Sequence, residues 1–330
     1  MAANLPDFNR LKGQNVHSAH SIMHLCAMQD ERVKWEPAER AGVEVTVRRL
    51  DLIGGNKGFK LALNLERALD MPSKSLLTFG GPWSNHLHAT ALAGQAAGVR
   101  TIGIVRGGEI ETPTLRDCRS AGMELVPVSR AEYADRHDEH FLGVLRDRFA
   151  RPWVVPEGGA NVLGLQGCQH ILQAHETWDA ILVAAGTGTT AAGMALRMGG
   201  NAPLIAVSAL KGVDHRPAVK QLLHWALGDL EWAHELSEGI TWWNDAHAGG
   251  FGKLNDRVRE DWLQWEDQTR IPLDRVYTAK LISRLKSELQ LPENHRFAGM
   301  GTGSRVLVIH TGGLQGNRSE KRGDFEAGSA

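Results

Sequence analysis

The chain has 330 residues, 42% of them hydrophobic and 23% charged, which is enough for two domains with cores of their own. With 37 Lys and Arg against 38 Asp and Glu, no net field draws in nucleic acid or an anionic membrane, so neither is an expected partner. Cys26, Cys118 and Cys168 are odd in number and far apart, which argues against a disulfide framework or zinc site and for free thiols in a reducing cytoplasm.

The start of the chain, Met1 to Gln14, lacks a signal-peptide pattern, and apolar runs such as Ile181 to Ala185 are too short to span a bilayer. Its histidines are scattered without a metal-binding grouping, so no metal is expected. Residues Val43 to Val47 alternate as a strand and lead into Gly54-Gly55-Asn56-Lys57-Gly58-Phe59-Lys60. From there Leu61, Leu65, Ala68 and Leu69 recur at helical spacing, which makes Asn56 the expected N-cap and Lys57 a first-turn residue. Burial and the positive helix end both disfavour a charged amine there, and a neutral lysine is a nucleophile able to form an imine with an aldehyde.

Ser75 to Phe79 reads as a strand ending in Gly80-Gly81-Pro82-Trp83-Ser84-Asn85-His86, before a helix of small residues through Ala96. Strands at Thr101–Val105 and Met123–Val128 flank a helix over Thr112–Ala121, the alternation of a parallel α/β layer. A polar helical segment, Tyr133 to Phe149, precedes the strand Trp153–Val155 and Pro156-Glu157-Gly158-Gly159. A second α/β layer follows: a helix over Gly164–Ala174, a buried strand Ala180–Ala185, the loop Gly186-Thr187-Gly188-Thr189-Thr190, a small-residue helix and a strand Pro203–Ala209. Six tryptophans between Lys220 and Trp265 read as packing or subunit contacts. A helix over Ala279–Leu289, a strand Val306–Ile309, the loop His310-Thr311-Gly312-Gly313 and a frayed end from Arg318 close the chain.

Glycine-rich loops after strands are where an α/β sheet places its ligand. Gly186 to Thr190 offers backbone N–H groups, hydroxyls and a helix end suited to phosphate, yet it lacks the lysine of a nucleoside-triphosphate loop and is no dinucleotide fingerprint. A phosphate without a nucleotide, together with an imine-forming lysine, points to pyridoxal 5′-phosphate.

Gly55-Asn56-Lys57, Gly81-x-x-Ser84-Asn85-His86, Pro156-Glu157-Gly158-Gly159, Gly186 to Thr190, Val276-Tyr277-Thr278 and His310-Thr311-Gly312-Gly313 occur in one order. In this the chain resembles the fold-type II pyridoxal-phosphate enzymes, and within them the family of 1-aminocyclopropane-1-carboxylate deaminase and D-cysteine desulfhydrase. The resemblance implies an α/β fold of two parallel-sheet domains like the tryptophan synthase β chain, with the cofactor in the cleft between them. The large domain would take residues 1–59 and 158–330, and the small one 60–157. It implies that Lys57 carries the cofactor and moves the substrate's α-proton, and that Asn85 partners the ring hydroxyl. Ser84 would touch the substrate carboxylate or the lysine, with His86, Phe251 and Thr311 also at the substrate. Gly186, Thr187, Gly188, Thr189 and Thr190 would form the phosphate cup, Tyr277 would stand beside the substrate, and Thr278 would face the pyridine nitrogen.

In the deaminase the position of Thr278 holds a glutamate, which keeps the nitrogen protonated, whereas desulfhydrase-like members have threonine. A neutral hydroxyl makes a weaker electron sink, adequate where a β-substituent leaves. The expected activity is therefore β-elimination from a small amino acid, giving a 2-oxo acid and ammonia, with 1-aminocyclopropane-1-carboxylate deamination as the alternative. Two departures from the family pattern, a short connection from Asp51 to Gly54 and Phe251 where a second tyrosine is usual, motivate a further alternative, a non-catalytic homologue that binds the cofactor or an amino acid. A homodimer is the expected assembly.

Overall fold

The computed structural model describes residues 28–173, 175–199 and 203–319. The readings of the N-terminal segment and of Cys26, and most of the frayed C-terminal end, fall outside the described residues. In chain order the strands are β1 (Asp30–Val33), β2 (Glu44–Arg49), β3 (Ser75–Gly80), β4 (Arg100–Arg106), β5 (Glu124–Val128), β6 (Trp153–Val155), β7 (Ala180–Ala185), β8 (Leu204–Ser208), β9 (Ile240–Trp243) and β10 (Arg305–His310). They form a six-stranded sheet ordered β1-β2-β10-β7-β8-β9 and a four-stranded sheet ordered β5-β4-β3-β6. All pairings are parallel except β1 with β2.

Two compact units carry these sheets. One comprises residues 28–63 and Gly159–Gly312, the other Asn64–Gly158 and residues 313–319. Residues 313–319, expected in the large domain, group with the smaller unit, where Gln315 Nε2 donates to Asn85 Oδ1 at 2.7 Å and Arg318 pairs with Asp117. The chain passes between units three times, within the helix Asn56–Leu69, at Gly158 just after β6, and at Gly312 after β10.

Period-two alternation builds the large sheet's two cores. In β7, Ala180, Leu182 and Ala184 face one cluster, and Ile181, Val183 and Ala185 the other; in β10, Val306 and Val308 separate from Leu307 and Ile309 in the same way. A strand apolar on both faces belongs in the middle of a covered parallel sheet, where β10 and β7 lie. The outer strand β1 is instead charged. Arg48, buried beneath it, donates to both oxygens of Asp30 and of Glu176 at 2.7–2.8 Å, and Arg49 pairs with Glu31 and Asp51.

Three stretches depart from the sequence reading. The segment from Tyr133 to Phe149 is two helices, Arg130–Ala134 and Glu139–Arg148, because Ser129 and Glu132 form a capping box and Asp138 starts a second helix by accepting from Phe141 N. The helix expected to reach Ala174 is Val162–Cys168 followed by one 3-10 turn, Gln169–Ile171. Between Arg216 and Thr269 the chain forms three helices, Arg216–Leu227, Leu230–Glu238 and Asp256–Thr269, and the edge strand β9. Of the tryptophans there, Trp242, Trp243, Trp262 and Trp265 are core, whereas Trp225 and Trp232 are 66% and 44% exposed.

The helix Val162–Cys168 crosses the lysine helix at van der Waals distance. A Cβ at Gly167 would lie 1.8 Å from the carbonyl oxygen of Phe59. Since backbone cannot yield as a side chain can, Gly167→Ala is expected to destabilise the protein by roughly 1–3 kcal/mol, read as a lower denaturation midpoint with an unchanged slope.

Candidate active site

The C-terminal ends of the parallel strands in the large sheet deliver the glycine-led loops to one edge. After β2, a short 3-10 turn (Leu50–Ile53) and two left-handed glycines, Gly54 and Gly55 at φ 88° and 78°, start the lysine helix. Asn56, expected as the N-cap, is the first residue of the helix, and its polar groups serve other loops. Its backbone N–H donates to Thr311 O at 3.1 Å, its Nδ2 donates to Thr190 Oγ1 at 2.8 Å, and its Oδ1 accepts from Lys57 Nζ at 3.0 Å. Gly55 has to be glycine beside this junction, because a Cβ there would stand 2.5 Å from Thr311 O. Thr311 is thus fixed beside the lysine turn through its backbone. His310 supports the same loop: its Nδ1 accepts from Gly312 N–H at 3.2 Å, which assigns the proton to Nε2, donating to Pro272 O at 2.6 Å.

Burial, with the charge of Lys60 second, lowers the pKa of Lys57 to about 7, against partial restoration from Cys168 and Asp274. Lys60 is 3% exposed, is itself held below the ordinary lysine range by burial, and donates to Thr187 Oγ1 at 3.4 Å. It stands one helical turn after Lys57, on the same face. Opposite it, Gly188 at φ 78° precedes the helix Thr189–Met198, and its missing Cβ would meet Val219 at 2.6 Å. Thr187 Oγ1 and Thr189 Oγ1 share a hydrogen bond at 2.9 Å. Gly186, Thr187, Gly188, Thr189 and Thr190 therefore gather hydroxyls, first-turn N–H groups without intrahelical partners, and a lysine around one point. The donor set fits a phosphate.

Tyr277 and Thr278 lie at the start of the helix Thr278–Leu289. A Cβ on Gly186 would be 3.1 Å from the Tyr277 hydroxyl, so the ring lies over the start of the Gly186–Thr190 stretch. Phe251 meets Tyr277 edge-on, with ring centroids 6.2 Å apart. Thr278 is buried, and its hydroxyl is already bonded: it donates to Asp274 Oδ2 at 2.7 Å and accepts from Asp274 N at 2.8 Å. The same carboxylate accepts from the N–H groups of Val276, Tyr277 and Thr278. Thr278 is thus half of an Asp–Thr pair.

Ser84, Asn85 and His86 belong to the smaller unit, after β3. Ser84 caps the helix Asn85–Ala97 by accepting from Leu87 N–H, and Asn85 Oδ1 accepts from Gln315, leaving its amide N–H groups as donors. His86, expected at the substrate, is 2% exposed and its ring bonds Thr78 Oγ1 at 2.9 Å, which makes it a core residue of the small sheet.

The sequence gives Lys60, at the end of the Gly54–Lys60 motif, no role of its own, and Asp274 and Lys280 lie outside every motif. Lys60 had a signal, its three-residue spacing from Lys57; Asp274, four residues before Thr278, had a weaker one as a carboxylate at a helix start. Among the described residues no cluster of His, Cys, Asp or Glu is placed to hold a metal.

No protein-family model matches the chain. A bifunctional D-cysteine desulfhydrase/1-aminocyclopropane-1-carboxylate deaminase of Arabidopsis thaliana is 28% identical over 86% of this chain and 76% of its own length. A Thermotoga maritima protein provisionally named 1-aminocyclopropane-1-carboxylate deaminase is 30% identical over 86% of this chain and 93% of its own. The crystal structure of a homologue of that deaminase superposes with a TM-score of 0.72 at 23% identity, covering 94% of this chain and 98% of that one. The fold is that of the fold-type II pyridoxal-phosphate enzymes. Within them, the chain belongs to the family of 1-aminocyclopropane-1-carboxylate deaminase and D-cysteine desulfhydrase.

The lowered pKa has a direct consequence, because only the unprotonated amine attacks an aldehyde. Trapping of a small neutral aldehyde on Lys57 by borohydride, quantified by peptide mapping, is expected to rise with pH and level off above about 7. Lys60→Met removes one of the groups that depress the amine, so the inflection moves to higher pH.

Proposed function

We propose that the chain is a pyridoxal-phosphate-dependent lyase acting on a small amino acid, and that its reaction is β-elimination of the D-cysteine desulfhydrase type. The observation that carries this reading is a lysine with a pKa of about 7 beside a cup of hydroxyls, helix N–H groups and a second lysine. Bound there, pyridoxal 5′-phosphate supplies an aldehyde that takes up the substrate amine and a ring that accepts the electron pair left at Cα.

The residues of the chain do the rest. Thr187, Thr189, Thr190 and Lys60 hold the phosphate, and Asn56 fixes both the cup and the lysine to which the group attaches. Lys57, neutral near pH 7 once free of the cofactor, takes the α-proton; the electron pair then expels the β-substituent, thiolate in the case of cysteine. Water completes the conversion of what remains to a 2-oxo acid and ammonia. Thr278 gives its hydrogen to Asp274 and accepts from the Asp274 N–H, so toward a ring nitrogen it offers a single lone pair, a weaker hold on a protonated ring than a glutamate. That favours expulsion of a leaving group over opening of a cyclopropane, the substrate for which several relatives are named. Phe251, 56% exposed beside Tyr277, offers the substrate side chain a ring without a hydroxyl.

Buried, free Cys118 and Cys168 support a reducing, cytoplasmic setting, and the exposed Trp225 and Trp232 support a homodimer. Among the described residues no helix is long and apolar enough to cross a membrane.

Purified protein given pyridoxal phosphate and D-cysteine is expected to release sulfide, pyruvate and ammonia in equal amounts, and Lys57→Ala to lower the rate by about 100-fold or more. Absence of a 2-oxo acid from every amino acid with a β-leaving group would overturn the lyase reading. Release of 2-oxobutanoate from 1-aminocyclopropane-1-carboxylate at a higher kcat/KM would move the assignment to the deaminase.

A further inference from the structure

We infer that Lys280 is a positioning residue whose buried ammonium holds the Gly249–Gly252 loop in the shape that sets Phe251 against Tyr277 at the edge of the substrate site. Lys280 is the third residue of the helix Thr278–Leu289 and is 1% exposed. Its three N–H groups reach three backbone carbonyls: Gly250 O at 2.8 Å, His247 O at 2.9 Å and Ala209 O at 3.4 Å. Ala209 directly follows β8 and the other two carbonyls lie in the loop after β9, so one side chain ties together two loops at the same sheet edge. A buried ammonium is costly unless its donors are satisfied. Asp274, the carboxylate that acts on it, already accepts four hydrogen bonds, and the carbonyls take the place of a counter-ion.

The loop needs such a fastening. Ala248, Gly249, Gly250 and Gly252 have φ values of 51°, 93°, 135° and 69°, a backbone that cannot join a ladder. Its internal bonds are those of tight turns, Gly250 N–H to His247 O and Lys253 N–H to Gly250 O, and both acceptors are the carbonyls that Lys280 grips. Phe251 is 56% exposed, so burial does not fix its ring. Its approach to Tyr277 is a property of the loop backbone, and through it of Lys280. The inference rests on the proposed lyase reading only in calling the adjoining space a substrate site.

Hydrogen exchange and steady-state kinetics on the holoenzyme test it. Peptides covering residues 247–253 are expected to exchange about tenfold faster in Lys280→Met and by an intermediate factor in Lys280→Gln, which keeps two donors, while the helix Asp256–Thr269 is unchanged. KM for the amino acid should rise severalfold in both variants with a smaller change in kcat. Phe251→Ala, at an exposed position that leaves the fold intact, should raise KM to the same degree without altering loop exchange. Unchanged exchange in a folded Lys280 variant, or an unchanged KM in Phe251→Ala, would overturn the inference. Exchange is read without turnover, so a wild-type protein that fails to turn over any amino acid defeats the lyase reading and leaves the result for Lys280 standing.

Discussion

The arrangement at the sheet edge depends on Asn56. One residue bonds the loop after β10 through its backbone, Thr190 after β7 through its amide nitrogen, and the neighbouring lysine through its amide oxygen. Three strands that are not consecutive in sequence thereby present their loops in fixed register. Glycine at position 55 lets the lysine turn touch the Thr311 backbone, which no residue with a side chain could do without displacing it. The reactive amine is therefore positioned by main chain and one amide side chain, both of which have little freedom to relax.

Three lysines in the large unit are drawn out of water, Lys57 in part and Lys60 and Lys280 almost wholly, and each is handled differently. Lys57 is left with few compensating charges, and burial plus the neighbouring Lys60 makes it lose its proton within reach of neutral pH. Lys60 donates to the Thr187 hydroxyl, just ahead of a helix start, and burial holds its pKa below the ordinary lysine range. Lys280 is satisfied by carbonyls; burial brings its pKa down to about 8, above that of Lys57, with Asp274 opposing the fall. The same side chain thus meets three different surroundings, and what surrounds the amine decides how readily it keeps its proton.

Much of this was legible in the chain. The unbroken apolar runs of β7 and β10 declare central parallel strands, and the glycine loops that follow them mark the ligand edge. Less was legible from Arg216 to Thr269, where the tryptophans lie on core and surface alike, although Gly228-Asp229 and Asn255 do mark helix ends there. The role of Thr278 was only half visible: the sequence shows a hydroxyl in place of a carboxylate, but the carboxylate that takes its hydrogen lies four residues earlier, across a helix start. Lys280 gave no signal, since a lysine two residues into a helix is ordinarily solvated and only the convergence of two distant loops gives it acceptors. His86 shows the converse: a residue inside a motif is turned into the core by a partner, Thr78, that pattern reading does not pair with it.

The charged strand β1 bears on how copies of this chain can meet. An open sheet margin invites a second chain to add its own strand, and Asp30, Glu31 and Arg32 line this one. Asp30 and Glu31 are committed to Arg48 and Arg49, so their carboxylates are held along the strand that a newcomer would have to join. Charge held in this way along an outer strand is one of the means by which a sheet discourages the addition of another chain, and here the charges are kept in place by arginines of the neighbouring strand.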